Sequence, residues 1–357
     1  MRIVVAMSGG VDSSVAAALL ADQGHEVIGV SMQLYDFSRQ TDGSRRFGSC
    51  CTLDDLHDAR RVAAAINIPH YILNFERQFE AQVVSNFVSE YASGRTPLPC
   101  AHCNSDLKFS TLLERARGLG ADRVATGHYA RVERDGATGR PLLRRGIDPA
   151  KDQSYFLFSL TREQLACALF PVGDQPKDAV REYARSRGLP VADKPDSQEI
   201  CFIPDHDYAR FVTARSPEAG AASGAIVDET GRVLGRHEGV HRFTIGQRKG
   251  LGVSSGTPLY VLALNPADQQ VVVGKKGALE RTSLTASGVN WLSEEPSRPL
   301  RVTAQIRHRH PPAHATVRSL GDRRAEIVFD TAQIAVTPGQ AVVLYQADVV
   351  VGGGWID

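Results

Sequence analysis

The sequence predicts an α/β fold with an N-terminal doubly wound parallel sheet, followed by two small β domains, the last of them a β-barrel. Up to about residue 204, short apolar runs alternate with amphipathic helical patterns, which is typical of a parallel sheet covered by helices. Beyond it, short alternating strands are punctuated by glycine and proline, as in small barrels and sandwiches. We therefore predict three domains, over residues 1–204, 205–284 and 285–357.

The first domain is predicted to open with the strand IVVAM, which runs into the turn SGGVD and a helix closed by Gly24. Apolar residues spaced by three and four then predict helices, and continuous apolar runs predict buried strands. In chain order, the further elements are strand 26–32, helix 53–67, strand 69–75, helix 108–120 and strand 122–129. In such sheets, ligands bind beyond the carboxyl ends of the strands.

The two β domains are predicted from apolar and polar residues that alternate between turns. A linker of small residues, SPEAGAASGA at 216–225, precedes them. The strand-like runs are 225–235, 241–247, 258–265 and 269–275 in the second domain, and 301–307, 314–320, 324–330, 341–346 and 349–356 in the third.

The bulk composition indicates an ordinary globular protein. Of 357 residues, 42% are hydrophobic and 23% are charged, and no apolar run approaches the ~18 residues of a membrane-spanning helix. The N-terminus has the pattern of a buried strand and not of a signal peptide, so we expect a cytoplasmic protein without a membrane partner. Because the net charge is only +1, any contact to nucleic acid must rest on local basic stretches, at Arg39–Arg46, Arg236–Lys249 and Arg298–His310.

The segment Met7–Ser14 has the chemistry of an anion-binding loop. Two glycines let the backbone turn tightly, serine hydroxyls add donors, and a helix N-terminus follows. Asp12 is placed to hold Mg²⁺ beside bound phosphates. The loop is not a Walker A motif, because no Gly-Lys-Ser/Thr follows at the required spacing. A serine-capped turn without a ligand is the alternative.

The run SGGVDSS, directly after a first strand, resembles the PP-loop of ATP pyrophosphatases, which cleave ATP to AMP and pyrophosphate and so convert an oxygen into a leaving group. The resemblance implies the fold of the adenine nucleotide alpha hydrolases and ATP as a substrate. It also implies a set of nucleotide contacts, in the loop and after two later strands. These are Ala6, Met7, Ser8, Gly9, Gly10, Val11, Asp12, Ser13, Met32 and Gly127.

The cysteines point to a narrower family. Six cysteines are too few for a disulfide framework that stabilises a chain of this length. Three of them lie in two long motifs, TPLPCAHCN at 96–104 and DSQEICF at 196–202. With the SGGVDS loop, these motifs resemble the tRNA-specific 2-thiouridylase family. The resemblance covers essentially the whole chain, through GRTP at 94–97, ATGHY at 125–129, KDQSY at 151–155, TIGQRKGLG at 244–252 and GGGWI at 352–356.

The resemblance implies ATP-dependent 2-thiolation of the wobble uridine of tRNA. Adenylation makes the C2 oxygen a leaving group, a persulfide on Cys201 delivers sulfur, and the Cys103 thiolate then cuts the S–S bond, leaving a disulfide between the two cysteines. We expect both cysteines to be partly exposed and biased toward thiolate. Two alternatives are open. One is a PP-loop ligase or amidotransferase acting on a small substrate, which needs neither cysteine, and the other is a tRNA-binding relative without turnover.

Other roles for the cysteines are also open. Cys100 and Cys103 alone fit a redox pair or half of a zinc site. Together with Cys201 they could hold a 4Fe–4S cluster with one open iron, as in related thiolation enzymes. Family members carry Asp or Cys at position 100, which leaves the role of Cys100 undecided. Among the remaining cysteines, Cys50 and Cys51 are assigned a structural role, and Cys167 a place in the core.

The resemblance also implies an RNA interface. Its expected contacts are Leu98, Pro99, Cys100, Lys151, Asp152, Gln153, Arg307 and His308. At His308 the family has Tyr, so stacking on a base should be weaker here. The wobble base must leave its stack to expose C2. The implied partners are tRNAs of the Lys, Glu and Gln type and a sulfur-donor protein, either a desulfurase or a relay.

Overall fold

The protein, represented by a computed structural model, divides into two compact units. The N-terminal unit comprises Met1–Val83, Cys100–His206 and Asp348–Val350, and the C-terminal unit comprises Val84–Pro99, Asp207–Ala347 and Val351–Asp357. The structure describes residues 1–35, 53–196, 200–203, 207–218 and 223–357. The basic stretch Arg39–Arg46, together with Cys50 and Cys51, lies outside the described residues.

The N-terminal unit is built on a parallel sheet. Its strands are β1 (Arg2–Ala6), β2 (Glu26–Gln33), β3 (His70–Asn74), β4 (Arg123–Ala125), β5 (Ala130–Arg134), β6 (Pro141–Arg145) and β7 (Ala168–Leu169). The order β3-β2-β1-β4-β7 is parallel throughout, while β5 and β6 form an antiparallel hairpin. Ile3, Val4 and Val5 of the central strand are fully buried, because both faces of a parallel sheet are covered.

Helices lie between most of the strands. They are α1 (Val11–Asp22), α2 (Leu53–Ala65), α3 (Glu76–Phe79), α4 (Ser85–Ala92), α5 (Pro99–His102), α6 (Leu112–Gly118), α7 (Arg162–Cys167), α8 (Lys177–Ser186) and α9 (Tyr208–Arg215). Two π-helical segments, Glu80–Val84 and Cys103–Thr111, continue α3 and α5. Helices α1, α2 and α8 share one apolar core with β1 and β2, through residues such as Val15, Val62 and Val180.

The C-terminal unit begins with a small mixed sheet. Its strands are β8 (Gly224–Val227), β9 (Val233–His237), β10 (Tyr260–Asn265) and β11 (Gln270–Gly274), in the order β10-β11-β8-β9. Phe243, Val261 and Val271 form the centre of its core. In the same unit, α4 and α9 pack through aromatic rings, with Tyr91 stacked on Tyr208 at 4.7 Å between ring centroids.

The last part of the C-terminal unit is a closed barrel. Its strands are β12 (Glu280–Trp291), β13 (Leu300–Gln305), β14 (Ala313–Gly321), β15 (Arg324–Ile334), β16 (Ala341–Gln346) and β17 (Val349–Ile356). Their order is β12-β15-β14-β13-β16-β17, and β12 pairs with β17 to close the barrel, with Ala286 opposite Ile356. Closure leaves no open edge, and alternate residues such as Val302, Ile327 and Leu344 fill the interior.

The predicted fold class is confirmed, although one predicted strand is wrong. Residues 241–247 form a 3₁₀ turn, Val240–Arg242, and then a second turn, because Gly246 has a φ of 86° and Gln247 N–H donates to Thr244 O at 2.9 Å. The strands β5, β6, β7 and β12 were not predicted, and the run 225–235 is two strands, β8 and β9, joined by a turn at 228–232. The domain boundaries at 204/205 and 284/285 stay predictions, and β12 runs across the second. Among the described helices, none is long and apolar enough to cross a membrane.

Candidate active site

The predicted phosphate loop lies between β1 and α1. Met7 is fastened to β2, because its N–H donates to Val30 O at 2.8 Å and its carbonyl accepts from Ser31 Oγ at 2.7 Å. Gly9 then has a φ of 74°, and a Cβ there would lie 2.2 Å from the carbonyl oxygen of Asp55. Only glycine therefore fits at this position, where the loop meets α2 backbone to backbone.

The first turn of α1 is suited to an anion. Its N-cap is Gly10, which has no side chain to accept from the first N–H groups of the helix. The serine side chains instead fasten the loop. Ser13 Oγ accepts from Ser8 N and donates to Gly10 O, both at 3.2 Å, and Ser14 Oγ donates to Gly10 O at 2.8 Å. The loop is thus shaped by its own hydrogen bonds, and the positive end of α1 favours phosphate groups beside it.

The carboxylate of Asp12 is held by two side chains from distant parts of the chain. Lys177 Nζ donates to Oδ1 at 2.7 Å and to Oδ2 at 2.9 Å, and the Tyr129 hydroxyl donates to Oδ1 at 2.7 Å. The Lys177 side chain is only 8% exposed. Burial and the adjacent Asp12 raise the pKa of Tyr129, so its hydroxyl stays protonated and remains a donor. Asp12 is therefore held in one orientation at the start of α1.

A second lysine, Lys194, binds the backbone of the loop. Its Nζ donates to Gly9 O at 3.0 Å, and to Asp55 Oδ1 and Asp58 Oδ2 at 2.7 Å each. Burial opposes the charge of Lys194, but hydrogen bonds to the two carboxylates outweigh it and raise its pKa. The lysine therefore stays cationic and ties the loop to α2.

Asp196 collects three cations. Lys177 Nζ and Arg181 Nη2 contact its Oδ1 at 2.7 and 2.9 Å, and Lys151 Nζ contacts its Oδ2 at 2.7 Å. Burial favours the neutral acid, but hydrogen bonds from Lys151 and Lys177 outweigh it and lower the pKa of Asp196 to about 2. The ionised carboxylate shares Lys177 with Asp12, so the two acids belong to one network of charges.

The other predicted nucleotide contacts lie where the chain is tightly packed. Ala6, Val11 and Met32 are buried, with exposed fractions of 8%, 3% and 8%. At Gly127, a Cβ would lie 2.5 Å from the carbonyl carbon of Asp12. The chain that follows β4 therefore touches the first turn of α1 at a point that only glycine allows. The assignment of all these residues to ATP stays a prediction.

The motif cysteines differ in exposure. Cys100, on α5, is exposed, Cys201 is half-buried, and Cys103 is only 8% exposed at the start of its π-helical segment. The expectation that both reacting cysteines are partly exposed is therefore wrong for Cys103. The next residue, Asn104, is buried and donates to Phe156 O at 3.0 Å, which holds this turn against the rest of the unit.

The remaining cysteine expectations can also be compared with the structure. Among the described residues, no group of three or more His, Cys, Asp or Glu side chains is arranged to hold a metal ion, so nothing in the structure supports the alternative of an iron–sulfur cluster. Cys167 is half-buried at the last residue of α7, so its assignment to the core is wrong. Residues 197–199 of the Cys201 motif lie outside the described residues.

The predicted RNA contacts at Lys151–Gln153 adjoin the network around Asp12. The Asp152 side chain is 7% exposed and its carboxylate accepts four hydrogen bonds from neighbouring residues of the chain. Gln153 is bound to Tyr129 twice, through Tyr129 N to Oε1 at 3.0 Å and through its own N–H to Tyr129 O at 2.8 Å. Lys151 keeps 36% of its side chain exposed. Asp152 therefore shapes this segment, and Lys151 is the charged group that RNA could reach.

The predicted RNA contacts of the C-terminal unit are less uniform. Leu98 and Pro99 are buried, whereas Arg307 and His308 are half-buried directly after β13. The position of the Arg307–His308 pair, in a loop at the end of a barrel strand, is one from which side chains commonly reach a ligand. The RNA role of all four residues stays a prediction.

Lys177, Lys194 and Tyr129 are among the network residues that were not singled out from the sequence. Lys194 had a signal, because it stands two residues before Asp196 and the Cys201 motif, and Tyr129 ends the quoted motif ATGHY. Lys177 had none, since it begins an amphipathic helix after Pro176 as many exposed lysines do. Only its burial in the fold identifies it.

Three protein-family models match the chain in succession. They are described as a tRNA methyl transferase HUP domain over residues 1–205, a tRNA methyl transferase PRC-barrel domain over 210–275 and an aminomethyltransferase beta-barrel domain over 281–356. The first spans more than half of the chain and contains the phosphate loop and all the motif cysteines.

Curated relatives are more than 50% identical to this chain over nearly its full length. The tRNA-specific 2-thiouridylase MnmA of Geotalea uraniireducens strain Rf4 is 54% identical, with 100% of this chain and 95% of the relative covered. The protein of the same name from Solibacter usitatus strain Ellin6076 is 55% identical, with 99% of each covered. A solved 4-thiouridine synthetase–RNA complex with bound ATP aligns at 16% identity and a TM-score of 0.34, over 61% of this chain and 50% of that one. That likeness is too low to support an argument.

Proposed function

Because this chain belongs to the tRNA-specific 2-thiouridylase family, it is a tRNA uridine 2-sulfurtransferase, and we propose that two sets of residues divide the reaction between them. The phosphate loop with its lysines serves adenylation, and Cys103 with Cys201 serves sulfur transfer. The observation that carries the proposal is the full-length identity above 50%, combined with a loop already shaped for phosphate.

Adenylation takes place at the phosphate loop. The C2 oxygen of the wobble uridine attacks the α-phosphorus of ATP, and pyrophosphate leaves. Charge on the leaving phosphates is balanced by the N-terminus of α1 and by Lys177, whose Nζ lies 2.7 Å from Asp12. Asp12 is one carboxylate beside the phosphates, a donor set of the kind that Mg²⁺ uses in nucleotide sites, so a bound Mg²⁺ would offset phosphate charge there. Lys194 keeps Gly9 and the loop in shape.

Sulfur transfer follows on the adenylated base. The outer sulfur of the Cys201 persulfide attacks C2 and AMP leaves, which gives a disulfide between Cys201 and the base. The Cys103 thiolate then attacks the Cys201 sulfur, so that the 2-thiouridine leaves and a Cys103–Cys201 disulfide forms. The two cysteines supply the two electrons, and a thiol reductant must restore them before the next turnover. Since Cys103 is 8% exposed, RNA binding must open a path to it.

The partners are those that the family resemblance implies. The substrate is a tRNA of the Lys, Glu or Gln type, contacted by Lys151 and Gln153 and by Arg307 and His308. The persulfide comes from a donor protein, a desulfurase or a relay, and we expect the reaction in the cytoplasm.

The test is serine substitution of each motif cysteine. Cys103→Ser and Cys201→Ser should lower 2-thiouridine formation by about 10³-fold or more, since each acts as part of one unit. Pyrophosphate release on adding tRNA should persist, because adenylation uses neither thiol. The readouts are nucleoside analysis of the tRNA and a pyrophosphate assay.

Cys167→Ser is the matched control, because Cys167 is half-buried and outside the motifs. It should thiolate at the normal rate. Normal thiolation by either motif variant would refute the division of roles, and ATP-dependent turnover of a small substrate by both would favour a ligase.

A further inference from the structure

The network around Asp12 links two places that bind different polyanions. At one end, Lys177 contacts Asp12 in the phosphate loop. At the other, Lys151 belongs to the segment assigned to RNA. Asp196 lies between them and touches both lysines at 2.7 Å. The four residues all belong to the N-terminal unit, and none of the links requires residues outside those described.

The ion pairs of the network depend on one another, because Lys177 contacts both acids. Two carboxylates, Asp12 and Asp196, face three cations, Lys177, Lys151 and Arg181. Lys177 is 8% exposed and contacts both acids, so a phosphate that attracts its ammonium group competes with Asp196. The ion pair between Asp196 and Lys151 then becomes stronger. Lys151 has 36% of its side chain exposed and is the cation that RNA can reach.

We infer that Asp196 couples the phosphate loop to Lys151 through the cations that contact its carboxylate. Bound pyrophosphate therefore weakens RNA binding, and release of pyrophosphate strengthens it. Asp196 is a positioning residue in this scheme, because it acts through Lys177 and Lys151 and not on a reacting atom. The inference rests on the proposed function, in which Lys151 contacts tRNA.

The coupling has a use in the reaction. After adenylation, pyrophosphate leaves and Lys177 returns to Asp196, which releases Lys151 to the RNA. The adenylated tRNA is therefore held more tightly during the interval in which sulfur must arrive. AMP, which lacks the β- and γ-phosphates, should not produce the effect.

The experiment measures the dissociation constant for tRNA at constant ionic strength, with magnesium pyrophosphate, with AMP or with neither. For the unsubstituted protein, pyrophosphate should raise the dissociation constant about fivefold, at the lower end of ordinary coupling between sites, and AMP should not. In Asp196→Asn the ratio should fall to about one, because the shared carboxylate is lost.

Asp193→Asn is the matched control, since Asp193 lies three residues earlier and pairs with Arg185 at the surface with 79% of its side chain exposed. It should keep the full response. Lys177→Met provides a second route to the same loss, and thermal unfolding verifies that each variant is folded. A pyrophosphate response that persists in both Asp196→Asn and Lys177→Met, or is absent from the unsubstituted protein, overturns the inference.

A fourth variant separates this inference from the proposed function. If Lys151→Ala leaves tRNA affinity unchanged, the RNA contact itself is wrong and the coupling route is wrong with it. If Lys151→Ala weakens binding while pyrophosphate has no effect, the RNA contact stands and only the coupling fails. Thiolation by the cysteine variants is read separately and does not depend on either result.

Discussion

Two ion pairs show how differently the two units use charge. In the N-terminal unit, Lys177 reaches Asp12 with a side chain that is only 8% exposed. In the barrel, Arg301 and Asp330 form a bidentate pair with Nη–Oδ distances of 2.8 and 2.6 Å, yet 60% and 46% of their side chains are exposed. Solvent screens the second pair more than the first, in which the Asp12 side chain is 30% exposed, so geometry alone does not rank them.

A substitution should have the largest effect where the charged groups are buried and shared. Around Asp12, close backbone contacts and shared cations hold the elements tightly, so that a shift in one element displaces its neighbour. On the barrel surface, the Arg301–Asp330 pair is exposed to solvent, and water can replace a lost partner. We therefore expect effects on thiolation and stability to fall steeply from the phosphate loop to the barrel surface.

The largest effect is expected at Gly127. In Gly127→Ala the new Cβ would lie 2.5 Å from the backbone of Asp12, so α1 or the chain after β4 must move. Such overpacking costs about 1–3 kcal/mol of unfolding free energy. A shift of this kind at the loop should lower kcat/KM for thiolation by about 10²-fold. Urea unfolding and initial rates of 2-thiouridine formation give the two numbers.

Gly118→Ala is the control for this substitution. Gly118 ends α6, and an added Cβ there meets nothing within 4 Å. Its rate should match that of the unsubstituted protein, and its stability should be equal or higher by up to about 1 kcal/mol, because alanine is favoured over glycine in a helix. If Gly127→Ala behaved in the same way, the backbone contact between the loop and the chain after β4 would not constrain the site.

A smaller effect is expected from the charge of Asp196. Its pKa lies at about 2 in the folded protein, below the ordinary 3.8, so its ionised form stabilises the fold above 3.8 and the contribution is lost as pH falls toward 2. The unfolding free energy of the unsubstituted protein should exceed that of Asp196→Asn by about 1 kcal/mol at neutral pH, allowing for screening at a partly exposed group.

The measurement is a series of urea unfolding curves for both proteins between neutral pH and pH values below 3.8. The gap between the two should be constant at neutral pH and narrow as the solution becomes acidic. A gap that widened in acid would mean that Asp196 is held neutral in the fold, and the shared-cation network would be wrong.

Much of this architecture could be predicted from local pattern. The strand β1 and the helix α1 were recognisable because the apolar run, the glycine turn and the helical spacing are all short-range signals. The barrel strands were recognisable by alternation, which one buried face imposes on each of them. The strand predicted at 241–247 failed because His241 and Phe243 satisfy the same alternation from a turn.

The site was only partly predictable for a different reason. Motif residues such as Asp12 and Cys201 stand in runs whose chemistry can be read in place. Lys177 lies 165 residues after Asp12, and nothing in its own helix marks it as buried. Cys103 is likewise buried beside Asn104, which donates a hydrogen bond to Phe156, 52 residues further along the chain. Long-range packing determines the burial of Lys177 and Cys103, and a local sequence pattern contains no information about it.

The smallest effect is expected at the barrel surface. Asp330→Asn removes the carboxylate from the Arg301 pair but leaves the guanidinium in water and within reach of Thr316 Oγ1, now at 3.0 Å. Thermal unfolding and thiolation should therefore stay within experimental error of the unsubstituted protein. Any residual difference should vanish near 1 M salt, where the screening length is about 3 Å. A clear loss of thermal stability or of thiolation would show that an exposed ion pair can hold the barrel in place as firmly as Lys177 holds the phosphate loop. Solvent exposure would then not explain the difference between the two regions.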